Sequence, residues 1–188
     1  MPRPNFFFAF PVSGRFVESL PAPPPFIRLF HAEDVHLTLS FLGGCGQAAA
    51  ERALAALDEA LTQRPASCLD VSLGPVVPMG PARAYSALSA LLERGREPTT
   101  QLIVSLRDVV SEAALGRREQ RPPKPHVTIA RPRTNATKAA RDAGLAWAAQ
   151  LDLLGVSATL ERIALYTWSE GNRRDRLFRI VAERPLAR

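Results

Sequence analysis

Two cysteines in 188 residues, Cys45 and Cys68, give a disulfide framework or a zinc site little to be built from. They form no C-x-x-C pair, so the expectation is two free thiols in a reducing cytoplasm. Long apolar runs are also missing. No stretch approaches the ~20 residues of a membrane span. The short run "NFFFAFPV" (5–12) contains Pro11 and soon meets Arg15 and Glu18, so it reads as a first strand and not as a leader peptide. There is no G-x-S-x-G, which removes the usual serine-hydrolase elbow. Lysine is nearly absent, at 2 against 22 arginines. Histidine is rare as well: there are three, and two of them open the same tetrapeptide.

Enough is present for one sizeable core. The chain is 46% hydrophobic and 22% charged, ordinary globular values. Its net charge of +6 is unevenly spread, with −1 over residues 1–94 and +7 over 95–188. The segment "RREQRPPKPHVTIARPR" (117–133) holds six basic residues and one acid, and "RRDRLFR" (173–179) is a second basic stretch. Such patches favour polyanions, including nucleic acids. Arginine and 17 prolines can also reflect composition bias alone, so the position of the first patch around His126 carries more weight than its charge.

Apolar periodicity predicts strands at 5–12, 26–30 and 36–42, and a helix at 47–63 with Leu54, Leu57 and Leu61 on one face. Strands at 68–76 and 83–89 follow. A second helix is expected at 97–115 on Leu102, Leu106, Val109, Val110 and Ala113. After a strand from 126 comes a helix at 136–151. Strands at 158–168 and 176–184 follow, joined by a hairpin-like turn with Gly171 and Asn172. Each half thus reads as strand, helix and two strands, which suggests an internal duplication of 90 residues and a mixed sheet with outer helices. No linker splits the chain, so residues 1–188 are expected to form one domain.

The repeated tetrapeptides are "HLTL" (36–39) and "HVTI" (126–129). Side chains alternate along a strand, so His36 shares a face with Thr38, and His126 with Thr128, while the aliphatic residues face the core. Histidine titrates near neutral pH and serves as base or acid; threonine hydroxyls donate to phosphate oxygens. Two such pairs around one phosphorus supply base, acid and oxyanion donors without a metal. With nine threonines in the chain, a chance double occurrence with apolar second and fourth positions is about 3 in 10,000. His31 is the control: "AED" follows it, and it reads as a surface or loop residue. No third metal ligand has motif spacing near either histidine, and no cofactor is expected.

These residues resemble the 2H phosphoesterase superfamily, whose signature is a pair of H-x-T-[L/I/V] motifs. "VHLTLSFLGG" and "KPHVTIAR" look like the two motifs of its bacterial and archaeal branch, the RNA 2′,3′-cyclic phosphodiesterases, also called 2′–5′ RNA ligases. "FFFAFPV" and "LYTWSEG" resemble that branch's first and late strands, although no arginine directly precedes the first run and Thr167–Trp168 stand before Ser169. The resemblance implies an α+β, bilobal fold: two pseudo-symmetric lobes of antiparallel-rich sheet with outer helices and the active-site cleft between them. It implies metal-independent hydrolysis of a terminal 2′,3′-cyclic phosphate on RNA, tRNA included, to a 2′-phosphate, with 2′–5′ ligation as the reverse reaction. On it, His36 is the acid, His126 the base, Thr38 and Thr128 hold the phosphate, and Arg131 and Tyr166 bind substrate. Strict alternation from His126 puts Arg131 on the wrong face unless the strand bulges or ends there. A cyclic phosphodiesterase of small nucleotides (the ADP-ribose cyclic phosphate type) and an inactive RNA-binding module are the competing readings. A monomer with no membrane association is expected.

Overall fold

The structure, a computed structural model, describes residues 5–170 and 176–188. The turn around Gly171 and Asn172, and residues 173–175 of the second basic stretch, lie outside them. Among the described residues the order is β1 (Phe6–Pro11), β2 (Ile27–Leu29), β3 (His36–Gly43), α1 (Gln47–Gln63), β4 (Leu69–Met79), β5 (Ala87–Arg94), α2 (Arg96–Leu115), β6 (His126–Pro132), α3 (Lys138–Ala148), β7 (Ser157–Leu160), β8 (Arg162–Trp168) and β9 (Phe178–Pro185). The strands form one curled antiparallel sheet in the order β7-β4-β5-β6-β3-β1-β8-β9, and β2 adds to β6. The α+β class with an antiparallel sheet and outer helices is therefore as expected. The two halves are fused through the sheet itself, where Leu37 of β3 pairs with Val127 of β6.

The strand order reads alike from both ends about that central pair. It matches β3 with β6, β1 with β5 and β4 with β8, leaving β7 and β9 at the two edges. The duplicated unit is therefore strand, HxT strand, helix, strand. It starts one strand earlier than the sequence pattern suggests. β5 belongs to the second unit as partner of β6, just as β1 is partner of β3.

Three boundaries differ from the sequence reading for physical reasons. The strand expected at 83–89 begins at Ala87, because residues 81–86 turn: Ala84 N–H reaches the Pro81 carbonyl and Ser86 N–H the Met79 carbonyl. The run 158–168 is two strands. β7 pairs with β4 and β8 with β1, and at the switch Glu161 gives its carbonyl to Leu186 N–H. The third helix, expected at 136–151, runs Lys138–Ala148, and its start is set by the Thr137 hydroxyl, which caps it by accepting from Ala140 N–H.

β1 is apolar on both sides because it is covered on both: all of Phe6 to Phe10 are buried. α1 presents Ala49, Ala50, Ala53 and Leu57 to the core, with Leu54 and Leu61 half-buried beside them. The buried stripe of α2 is Ile103, Leu106, Val110 and Ala114, rotated by about one residue from the expected set. α1 and α2 pack on each other, and α2 lies on β3, while α3 lies against β2, β4 and β6. No described helix is long and apolar enough to cross a membrane.

Gly144 lets α3 sit close to the sheet. A Cβ there would lie 2.4 Å from the Tyr85 hydroxyl and 2.8 Å from Ile27 Cδ1. Helix propensity alone favours Gly144→Ala by ~1 kcal/mol, but overpacking costs ~1–3 kcal/mol, so the clash wins. The expected result is a lower urea midpoint for Gly144→Ala, with the exposed control Gly116→Ala affecting only the strained helix end.

Candidate active site

Counting outward from Leu37↔Val127 places His36 opposite Thr128 and Thr38 opposite His126, all on one face of the sheet. The two histidines are then diagonal neighbours, ~7–8 Å apart across the two strands. That leaves room for one tetrahedral anion between the rings. The outer ladders keep the same face: Pro11 lies beside His36 and Ala9 beside Thr38 on one side, Leu91 beside His126 and Ser89 beside Thr128 on the other. The Ser89 and Thr128 hydroxyls are hydrogen-bonded at 3.2 Å.

Both rings are held in the same way. His36 Nδ1 donates to the Asp34 carbonyl at 2.6 Å, and His126 Nδ1 donates to the Lys124 carbonyl at 2.6 Å. A carbonyl only accepts, so Nδ1 carries the proton in each ring, and Nε2 is the atom left to exchange one. In each motif the backbone two residues before the histidine sets its tautomer.

The surroundings break this symmetry. His36 is only 7% exposed, inside an aromatic wall. Phe7 lies 4.9 Å from its ring, Tyr166 5.4 Å, and Phe178 meets it edge-on at 5.4 Å. Burial pushes the His36 pKa down to about 4, against the pull of the Asp34 carbonyl; the charges of Arg131 and His126 lower it further. His126 is half-buried at the mouth of a cleft of about 730 Å³. The cleft also touches Thr38 and Phe41 and is walled by the 117–124 segment, including Arg117, Arg118, Arg121 and Lys124. His36 and Thr128 are not part of its lining. Arg107 of α2 holds that wall in place, donating to the carbonyls of Arg121 at 2.8 Å and Glu119 at 3.3 Å.

Asp34, which sequence reasoning passed over, supports the His36 side. It is 0% exposed. Its carboxylate accepts from Leu177 N–H at 2.7 Å, Phe178 N–H at 3.1 Å and Arg176 Nε at 3.2 Å, while its carbonyl holds His36. Burial raises its pKa even so. Its only signal in the sequence is an acid two residues before the motif. His31 is exposed and accepts from Glu33 N–H through Nδ1, so it caps the short turn Ala32–Asp34, as a loop residue should.

Arg131 reaches the site because the strand does bulge. Ser89 pairs with Thr128 while its neighbour Leu88 pairs with Ala130, so Ile129 is an extra residue in β6 and the alternation flips after it. Arg131 thereby joins the face of His126 and Thr128. Its guanidinium lies 4.9 Å over the Phe30 ring, and its buried Nε meets no acceptor among the described residues. Burial, then the charge of Arg28, hold its pKa below the usual value. Tyr166 is 1% exposed and stacked on Phe7 at 5.0 Å, so it backs His36 from within the core and offers no surface to a ligand. Among the described residues, no three His, Cys, Asp or Glu side chains gather as metal ligands would.

Two HxT strands joined centrally in a curled antiparallel sheet, with both histidines on one face, define a 2H phosphoesterase. The chain belongs to the 2′-5′ RNA ligase superfamily, whose model matches residues 15–172. Among solved structures, it is similar to Escherichia coli LigT in apo form (19% identity, TM-score 0.68, 99% of each chain covered). TT0787 of Thermus thermophilus (20%, 0.72, 97% of each) and Kluyveromyces marxianus Usb1 (10%, 0.58, 99% of this chain and 98% of that one) share the fold. No curated protein sequence matches the chain. Membership supports an enzyme with cyclic phosphodiesterase or RNA-ligase type activity.

The lowered His36 pKa has a sign that can be checked. The folded chain binds fewer protons than the unfolded chain between about pH 4 and the ordinary histidine value of 6.5. This contribution to stability is therefore complete above pH 6.5 and is lost as pH falls toward 4. Nitrogen-15 NMR should show one Nδ1-protonated histidine that stays neutral down to about pH 4, and His36→Ala should remove that signal together with its share of the stability slope.

Proposed function

We propose that the chain is a metal-independent RNA 2′,3′-cyclic phosphodiesterase that opens a terminal cyclic phosphate to a 2′-phosphate. The observation that carries this is the pair of diagonal imidazoles, each with Nδ1 bound to a carbonyl and Nε2 left for proton transfer. Water attacks phosphorus as one Nε2 takes its proton. The P–O3′ bond breaks, and the other Nε2–H gives its proton to O3′, leaving a free 3′-hydroxyl. Thr38 and Thr128 donate to the non-bridging oxygens, where charge grows, and Arg131 adds a cation beside them.

Two observations favour His36 as base and His126 as acid, the reverse of what the resemblance implies. Burial keeps His36 neutral in the free protein. The open cleft lies on the His126 side, so the ribose, and with it the departing O3′, is best placed there. The negative charge of the bound phosphate draws the His36 pKa upward in the complex. The wall of the cleft favours an RNA strand over a small nucleotide. Arg118 and Arg121 are offset by Glu112 and Glu119, while Arg117 and Lys124 make no ion pair among the described residues. We read residues 1–188 as one such domain of two interleaved lobes, acting as a monomer in the cytoplasm.

An oligonucleotide ending in a 2′,3′-cyclic phosphate, incubated with EDTA, should yield a 2′-phosphate, and His36→Ala and His126→Ala should each lose about 100-fold or more. An untouched cyclic end, full activity in both variants, or arrest by the chelator overturns this reading. The pH profile should be bell-shaped, with the acid limb of kcat at higher pH than that of kcat/KM. A sulfur in place of the leaving 3′-oxygen departs without a proton. It should restore His126→Ala and not His36→Ala; rescue of His36→Ala instead returns the roles to those implied by the resemblance.

A further inference from the structure

The two motif threonines are equivalent in register and unlike in what stands beside them. Ala9 of β1 pairs with Thr38, and Ser89 of β5 pairs with Thr128. The strand order matches β1 with β5, so Ala9 and Ser89 occupy equivalent places. One threonine has a methyl group for a neighbour and the other a hydroxyl. Ser89 is 0% exposed, and its hydroxyl meets that of Thr128 at 3.2 Å. Among the described residues neither of those hydroxyls has a second hydrogen-bond partner, and the Thr38 hydroxyl has none. A buried hydroxyl costs desolvation that a methyl group does not, and Ala9 shows that the sheet closes without one. Depth separates the threonines as well. Thr38 lines the open cleft, while Thr128 lies outside its lining, in the row of the buried His36.

A phosphate oxygen only accepts, so a threonine that holds it must give its hydrogen. Thr128 Oγ1 is then left to accept, and the Ser89 hydroxyl is the donor in reach. The result is a chain from Ser89 through Thr128 to the phosphate. Each bond in such a chain polarises the next, most of all away from water. Thr38, with Ala9 behind it, has no such chain. From this difference we propose that Ser89 is a positioning residue: it aims and strengthens the Thr128 hydroxyl, so that the site holds the two non-bridging oxygens of the phosphate unequally. The assignment rests on the reading of the site as a cyclic-phosphate pocket. The oxygen on Thr128 is stabilised more as charge grows on it during attack. In a 2′,3′-cyclic phosphate the two exocyclic oxygens point to opposite faces of the ring. Sulfur in place of one or the other therefore gives two diastereomers, which the site should treat differently.

The test crosses Ser89→Ala with Thr128→Ala. Ser89→Ala copies the residue of the other half, and Ser89→Cys keeps the volume with a weaker donor. On a cyclic-ended oligonucleotide, Ser89→Ala should lower kcat about tenfold and leave KM within about twofold, with Ser89→Cys between it and the parent. In the Thr128→Ala background the same change should cost less than about twofold, since Ser89 acts through Thr128. The two diastereomers of a terminal 2′,3′-cyclic phosphorothioate should react at unequal rates with the parent, and Ser89→Ala should shrink their ratio at least about threefold. Unchanged kcat in Ser89→Ala, an equal loss in the Thr128→Ala background, or an unchanged diastereomer ratio overturns the positioning role while hydrolysis stands. If the parent opens no cyclic phosphate, the phosphodiesterase reading falls, and calorimetry with adenosine 2′-monophosphate decides the role of Ser89. Weaker binding by Ser89→Ala that vanishes in the Thr128→Ala background keeps the positioning role; unchanged binding overturns it too.

Discussion

One ladder pair, Leu37 against Val127, determines what the site can be. It fixes the register of two strands that arrive from opposite halves of the chain, and register decides which four side chains share a face. A slip of one residue would bury the histidines and expose the aliphatics, losing core and chemistry together. The neighbouring strands make such a slip costly. β1 and β5 hold the outer edges of the two motif strands with their own registers, and the buried phenylalanines of β1 have no other face to turn to. The residues that pack the core are thus the ones that position the imidazoles.

The pairing is symmetric, and its setting is not. His36 and His126 share a tautomer and a hydrogen-bond length, because each Nδ1 meets the backbone carbonyl two residues before it. They differ in solvent and charge. One ring is packed among Phe7, Tyr166 and Phe178, and the other stands at the edge of a basic cleft. A duplicated strand pair would otherwise provide two equivalent bases. Burial, which is a property of the surrounding lobes and not of the motif, is what holds the His36 ring neutral.

Much of this is legible in the chain. The apolar second and fourth positions of the motifs show strands, and the repeated His and Thr show the shared face. The α+β class follows from the alternation of helix and strand patterns. What stays hidden has physical causes. Side-chain periodicity does not show an extra residue in a ladder, so the bulge at Ile129 is invisible, and with it the orientation of Arg131. The late motif around Tyr166 looks like a ligand contact, but aromatic residues on a strand read alike whether a neighbour covers them or solvent does. The phase of the repeat is misleading because β5 follows β4 in sequence while serving β6 in space. The role of Asp34 depends on Leu177 and Phe178, and no local window contains both ends of that contact.

That last contact also bears on the order in which the protein comes into being. The Asp34 carboxylate meets the Leu177 amide across 143 positions of chain. The loop-closure cost of such a separation grows only logarithmically, so the finished fold bears it easily. Speed is another matter, since pairings of high sequence separation form slowly. The support of His36 is completed only when β8 and β9 return to the β1 side of the sheet, after both HxT strands and all three helices have been made. During synthesis the two histidines exist long before their asymmetry does, and the last hairpin to emerge converts a pair of similar imidazoles into two unlike ones.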